Sequence, residues 1–314
     1  MSNTPAEEHD GSAVWLTIGS FDGIHRGHQA LIRELVKGAK EKCGISTVVT
    51  FDPHPSRYLK PSTEPFYLTD PLEREELLRD MGVDGVITLP FNRELATKSP
   101  EEFIKTLHER IPFTCIVVGY DFHFGYQRAG DLDLLNQLGK KYGFCAKPFH
   151  ARIDAGKPVS SSRIRELIKS GNVHAAAKLL GRAYTLRGEV IHGDGRGRHI
   201  GLPTANLSVW HEKLLPADGV YAARAIFGEE RAALVSIGTR PTFYEDTQLR
   251  TIEAYLLEFA GDIYGQNMTL HLLDRLRGEE RFDSAEALML QIAKDEEKSR
   301  KVFIDDARKR HLSA

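Results

Sequence analysis

The sequence predicts two domains: a doubly wound α/β sheet over residues 13–181, then a small antiparallel β-barrel over residues 182–310 that ends in a helix. Three observations lead there. At 314 residues the chain exceeds the length at which a single hydrophobic core usually stops growing. Up to Gly181, short apolar runs alternate with segments of helical period, as parallel strands joined by crossover helices require. After Gly181, strand-like stretches are separated only by short connections bearing Gly, Pro and Asp. These leave no room for crossover helices, so the strands must run antiparallel.

In the first half the expected strands are 13–18, 47–51, 86–89 and 116–119, with a weaker one at 144–147. The helix expected over 28–42 places Leu31, Ile32, Leu35 and Val36 on one face, and further helices are expected over 71–81 and 99–109. The last has a clear start: Ser99 with Glu102 forms a capping box, and Pro100 suits the first helical position. In the second half, strands are expected at 183–191, 219–227, 231–236, 251–259 and 268–273. A helix over 284–310 follows, with Leu288, Ile292, Val302 and Phe303 expected to pack.

Composition narrows the class of function. The chain is 41% hydrophobic and 27% charged, as globular proteins are. Its 42 Lys and Arg against 44 Asp and Glu give a net charge of -2, whereas nucleic-acid binders usually carry a marked basic excess. Anionic ligands must therefore be held locally. Cys43, Cys115 and Cys145 are odd in number and scattered, so neither a disulfide framework nor a zinc site is expected, and a reducing cytoplasm fits. Residues 1–12 are polar and acidic, unlike a signal peptide, and no run approaches the ~18 apolar residues of a membrane span.

The first strand runs into Gly19-Ser20-Phe21-Asp22-Gly23-Ile24-His25-Arg26-Gly27-His28, where the helix is expected to begin. A helix N-terminus offers unpaired N–H groups and partial positive charge, so a phosphate can settle there, with His25 and His28 donating to the same phosphoryl group. The plainer reading is a Gly-rich turn with surface histidines. Zinc is disfavoured because only Asp22 lies near as a third ligand. Neither G-x-x-x-x-G-K-[ST] nor G-x-G-x-x-G occurs, which disfavours a P-loop kinase and a dinucleotide-binding dehydrogenase. Ser160-Ser161-Ser162-Arg163-Ile164-Arg165 opens a later helix, with Ser162 or a neighbour expected as N-cap. Hydroxyls, free N–H groups and Arg165 there could accept β- and γ-phosphates, although a serine cap alone would also explain the run.

Taken together, the H-x-G-H loop and the Ser-Ser-Ser-x-x-Arg helix start resemble the nucleotidylyltransferase superfamily, a Rossmann-like fold. Residues 50–55 (TFDPHP), 119–125 (GYDFHFG) and 128–131 (RAGD) are similar to the FMN adenylyltransferase module of bacterial bifunctional FAD synthetases. This likeness implies that His25 and His28 bind ATP phosphates beside Gly19, Phe21, Asp22 and Gly23. It implies further that Ser161, Ser162 and Arg165 hold the distal triphosphate and that Asp121 lies near the flavin. Ser162 stands where the family usually has Thr, which keeps the hydroxyl.

In the second half, residues 193–207 (GDGRGRHIGLPTANL) place four glycines and two arginines ahead of Thr204 and Asn206 on one strand face. Such a loop can close over phosphates, and hydroxyl and amide oxygens suit Mg²⁺ shared with a nucleotide, although a surface hairpin is the simpler reading. Glu253 sits within an apolar strand, facing either solvent or a substrate hydroxyl whose proton it would accept. Residues 197–207, 237–243 (IGTRPTF) and 261–266 (GDIYGQ) resemble, in order, the riboflavin kinase module. That resemblance implies a six-stranded antiparallel barrel, with Gly195, Gly197 and Arg198 at the ATP phosphates, Thr204 and Asn206 on Mg²⁺, and Glu253 as catalytic base. Two positions depart from it: Ser236 where Asn is common and Tyr255 where His is common.

The joint resemblance covers residues 14–300 and implies a bifunctional enzyme. Its substrates would be riboflavin, FMN and ATP, its products FMN, FAD, ADP and pyrophosphate, with no nucleic-acid or membrane partner. Rivals are a nucleotidylyltransferase acting on another phosphate-bearing acceptor, a non-catalytic flavin binder and a nucleic-acid-binding barrel. The strand carrying Thr204 and Asn206, the intact site residues and the near-neutral charge weigh against each in turn.

Overall fold

A computed structural model describes residues 13–150, 153–154, 156–193, 202–240 and 249–311. Contacts divide the chain into two compact units, Met1–Thr63 with Pro71–Val159, and Glu64–Asp70 with Ser160–Ala314.

The first unit is a five-stranded parallel sheet in the order β3-β2-β1-β4-β5. Its strands are β1 (Val14–Ile18), β2 (Ile45–Asp52), β3 (Gly85–Pro90), β4 (Phe113–Gly119) and β5 (Cys145–Phe149). Both faces are covered by α1 (Arg26–Glu41), α2 (Pro55–Leu59), α3 (Pro71–Asp80), α4 (Arg93–Thr97), α5 (Pro100–Arg110) and α6 (Leu132–Tyr142). Because both faces are covered, the central strands read as nearly unbroken apolar runs. One core packs Leu16, Ile18, Ile116, Ile104 and Leu107, and the other packs Phe21, Ile24, Ile32, Leu35, Val48 and Leu78. The strand order reverses between β1 and β4, so the loops leaving these two strands flank the crevice where such sheets bind ligands.

The capping box before α5 is present, with the Glu102 carboxylate accepting from the Ser99 N–H at 2.8 Å. The short helices α2 and α4, and α6, were not anticipated; the first two bury no residue and so leave no apolar stripe to read. The cysteines also need correction. Cys115 and Cys145 lie opposite each other on β4 and β5, 4.5 Å apart at Cα, and are bonded. Parallel pairing brings together residues whose sequence spacing gives no sign of it.

The unit closes with a small hairpin, β6 (Ile153–Asp154) and β7 (Lys157–Pro158). The second unit begins with α7 (Ser161–Lys169) and α8 (Val173–Leu180), ahead of the change in strand rhythm at Gly181. Its strands β8 (Tyr184–Ile191), β9 (Ala205–Val209), β10 (Gly219–Ile226), β11 (Glu230–Arg240), β12 (Leu249–Leu256) and β13 (Asn267–Arg277) close into a barrel in the order β10-β11-β12-β9-β8-β13. Alternation fills its interior: Ile252, Ala254 and Leu256 are buried, whereas Thr251, Glu253 and Tyr255 are only partly so. Residues 64–70 join this unit through main-chain bonds, Phe66 and Tyr67 N–H donating to Glu212 O and Leu214 N–H donating to Tyr67 O.

The final helix, α9 (Ala285–His311), departs from expectation in its contact face. Leu288, Ile292, Val302 and Phe303 are only partly buried, while Asp295 and Ser299 are wholly buried. Asp295 accepts from Arg277 at 2.8 Å, and the Ser299 hydroxyl donates to Ala233 O at 3.1 Å. A polar seam, rather than an apolar stripe, fixes this helix to the barrel.

Candidate active sites

The first site forms where β1 gives way to α1. The helix starts earlier than its apolar period suggests: His25 is the N-cap, in extended conformation, and its Nδ1 accepts from the His28 N–H at 3.2 Å. Capping fixes the tautomer. A neutral His25 whose Nδ1 accepts must carry its proton on Nε2. The two rings stack with centroids 3.6 Å apart, and Phe21 meets His28 edge-on at 5.1 Å. Burial, and secondarily the charge His25 would carry, hold the His28 imidazole well below the ordinary histidine range. Its buried Nδ1 has no partner among the described residues. A ring kept neutral with an unpaired nitrogen is suited to gaining a hydrogen bond when an anion arrives.

The turn ahead of the helix is tightly determined. Phe21, Gly23 and Ile24 all have positive φ (48°, 82° and 37°), which a bulky aromatic and a β-branched residue rarely adopt. Their side chains hold it, since Phe21 and Ile24 are 2% and 1% exposed in the core beneath. Gly27 is needed for closeness: a Cβ there would lie 3.1 Å from the His25 ring. A Cβ on Gly19 would lie 3.1 Å from the Phe21 ring, and Asp22 is fully buried. Asp121 follows β4 and is exposed, and a Cβ on Gly119 would lie 3.0 Å from its Oδ1.

Ser161, Ser162 and Arg165 belong to the second unit. The N-cap of α7 is Ser160, whose hydroxyl accepts from the Arg163 N–H, so Ser161 and Ser162 occupy the first helical positions. Arg165 stacks on Phe66 at 3.8 Å and donates from Nε to Phe66 O at 3.0 Å. Its guanidinium thus has a structural partner that the sequence did not signal.

The second site lies on the barrel. Asn206 of β9, Glu253 of β12 and Ser236 of β11 are successive cross-strand partners, forming one row. The Thr204 hydroxyl donates to Glu253 Oε2 at 3.3 Å. Gly193 backs the row, because a Cβ there would stand 2.1 Å from Asn206 Nδ2. A cleft of about 200 Å³ adjoins it, lined by Pro203, Thr204, Phe259, Asp262, Ile263 and Tyr264 among others. Sequence reading did not assign Ser236 to the site, yet it stands directly beside Glu253. Tyr255, the other departure, interacts with Glu296 of α9, and burial together with that carboxylate raises its phenol pKa. Gly195, Gly197 and Arg198 lie outside the described residues. Among the described residues no cluster of three His, Cys, Asp or Glu could hold a metal by itself.

A doubly wound sheet with two histidines at a helix start, followed by a barrel bearing a Thr-Asn-Glu cluster, defines a two-module transferase built around phosphoryl groups. Family comparison agrees with this division. Residues 7–163 match the FAD synthetase family and residues 180–303 the riboflavin kinase family. The chain belongs to the family of bifunctional riboflavin kinase/FMN adenylyltransferases. It is 37% identical over 293 residues to the protein so named in Escherichia coli (strain K12), covering 92% of both chains. It is 38% identical to that of Pseudomonas fluorescens and 35% identical to that of Bacillus subtilis (strain 168), again over 92% of each. A crystal structure titled as a macrolide-efflux protein from Streptococcus pneumoniae superposes with TM-score 0.85 at 35% identity, covering 92% of this chain and 94% of that one. No described helix here is long and apolar enough to cross a membrane.

Proposed function

We propose that the two family activities divide between the two sites: residues 13–181 adenylylate FMN and residues 182–310 phosphorylate riboflavin. The observation that carries the reading is the Asn206–Glu253 row with the Thr204 hydroxyl against the same carboxylate. A proton acceptor beside two neutral oxygen ligands is what transfer of a metal-bound γ-phosphoryl group to an alcohol requires. Glu253 takes the proton from the terminal ribityl hydroxyl as that oxygen attacks the γ-phosphorus of ATP, giving FMN and ADP. Gly195, Gly197 and Arg198 contribute to binding the ATP phosphates.

Thr204 and Asn206 fit a Mg²⁺ ion, because hard cations take neutral oxygens readily when nucleotide phosphates complete the shell. When bound, the ion neutralises charge on the transferring phosphoryl group. At the other site the FMN phosphate attacks the α-phosphorus of a second ATP and pyrophosphate leaves. His25 and His28 stabilise the charge that develops, with the loop from Gly19 to Gly23 around them, Ser161, Ser162 and Arg165 toward the leaving pyrophosphate, and Asp121 near the flavin.

The test is to incubate the protein with riboflavin, ATP and Mg²⁺ and resolve the flavins over time. FMN appears first and gives way to FAD. Glu253→Gln blocks the first step and His28→Ala only the second, with FMN supplied where needed. A folded variant that loses both activities would refute the assignment of separate sites.

A further inference from the structure

Arg74 is a buried cation that neither proposed reaction uses. It lies on α3, one turn ahead of Leu78 on the helix face turned to the core, and is 2% exposed. A charge removed from water needs compensation, yet no ion pair is found for it among the described residues. Its one hydrogen bond there runs from Nη1 to the main-chain oxygen of Ser20, at 3.5 Å. That same oxygen accepts from the Thr50 hydroxyl at 3.2 Å. Two side chains from different elements, α3 and β2, therefore converge on one carbonyl at the start of the positive-φ turn.

The peptide group explains why this matters. In a planar trans peptide the carbonyl oxygen and the next N–H point in opposite directions. With the Ser20 oxygen held inward by Thr50 and Arg74, the Phe21 N–H is turned away from them, and among the described residues it donates no main-chain hydrogen bond. Phe21 and Ile24 pin the turn from below through their side chains, but nothing apolar fixes the rotation of the 20–21 peptide plane. A peptide free to rotate could offer its oxygen, instead of its N–H, to an incoming phosphate.

We propose that Arg74, acting with Thr50, is a positioning residue for adenylyl transfer: it clamps the Ser20 carbonyl so that the Phe21 N–H faces the phosphate site as a fixed donor. The guanidinium also sets positive charge behind a loop that must receive a polyanion, without touching the nucleotide. This rests on the reading of the His25–His28 loop as the adenylylation site.

The experiment compares Arg74→Met, which keeps the apolar stem, Arg74→Lys, which keeps a donor, and Thr50→Val, each assayed with FMN and MgATP, alongside His28→Ala. A misoriented donor in a preorganised site costs about 10- to 100-fold in rate. Arg74→Met should lower kcat for FAD formation by that factor with KM for FMN unchanged, and Arg74→Lys should recover part of the loss. Thr50→Val should lower the same kcat, and the double variant should lose less than the product of the single losses, because both act through one carbonyl. Riboflavin phosphorylation should be unaffected throughout, and thermal unfolding of the first unit, which carries Thr50 and Arg74, reports that it is folded. Arg74→Met and Thr50→Val each retaining kcat within twofold, or their losses multiplying independently, would overturn the proposal. Full FAD formation by His28→Ala would instead overturn the reading on which it rests. Were Arg74→Met to misfold, Thr50→Val and Arg74→Lys would still decide the matter.

Discussion

His25 holds two positions at once, and a pair of substitutions can separate them. Its Nδ1 caps α1 by accepting the His28 N–H, while in the proposed reaction its Nε2–H donates to a phosphate. His25→Ala removes both functions. His25→Asn keeps a side-chain oxygen able to cap but lacks the reach and the ring stack. Loss of a cap costs about 1 kcal/mol, whereas Asn is among the best capping residues. For a unit of roughly 150 residues, 1 kcal/mol lowers Tm by about 3 °C. The chemistry should respond differently. Losing a preorganised donor to charge that grows in the transition state costs ~100-fold in rate, or about 2.7 kcal/mol of barrier. Hence His25→Ala should melt about 3 °C lower in its N-terminal unit, His25→Asn should melt close to the unsubstituted protein, and both should form FAD about 100-fold more slowly from FMN. The assays are thermal unfolding and chromatographic separation of FMN and FAD, with riboflavin phosphorylation as the internal control. If His25→Asn formed FAD at the unsubstituted rate, His25 would be a helix cap and nothing more.

Other substitutions test other parts of the molecule. Gly193→Ala puts a methyl group 2.1 Å from Asn206 Nδ2, so the amide must leave its place and FMN formation should fall at least ~10-fold while FAD formation from FMN persists. His271, opposite Arg224 and Thr185 in the barrel, has its pKa lowered from 6.5 to about 4 by burial and then by the Arg224 cation, with Glu230 opposing and Arg310 and Arg182 adding to it. The unfolded chain then binds a proton that the folded barrel resists, so the contribution is complete above pH 6.5 and is lost as pH falls toward 4. That is up to about 3 kcal/mol, measurable by denaturant titration and absent in His271→Gln. Asp295→Ala leaves the Arg277 guanidinium without its carboxylate in a nearly closed seam and should destabilise the second unit by about 3 kcal/mol in the same titration.

Much of the architecture was legible in the sequence because it rests on periodicity and local chemistry. Ser99, Pro100 and Glu102 announced α5 within one turn, and the five parallel strands announced themselves by apolar runs that only a sheet covered on both faces can bury. The family was legible in the same way. His25, His28, Thr204, Asn206 and Glu253 occur in short motifs in order, and chemistry at a phosphate restricts which residue types can serve.

What the sequence could not fix depends on neighbours far away along the chain. Cys115 and Cys145 meet because β4 and β5 pair in parallel, and Ser236 stands beside Glu253 because β11 and β12 pair in that register. Arg165 is expected as a phosphate ligand, and Phe66, which accepts its Nε–H, comes from nearly a hundred residues earlier in the chain. Nothing local to Asp295 signals that Arg277 of the barrel faces it. Arg74 carried no motif at all, since a residue that holds a carbonyl in place acts through geometry that only the folded chain creates. Residue type sets which chemistry is possible at a position; which groups share that position is decided by strand register and helix packing.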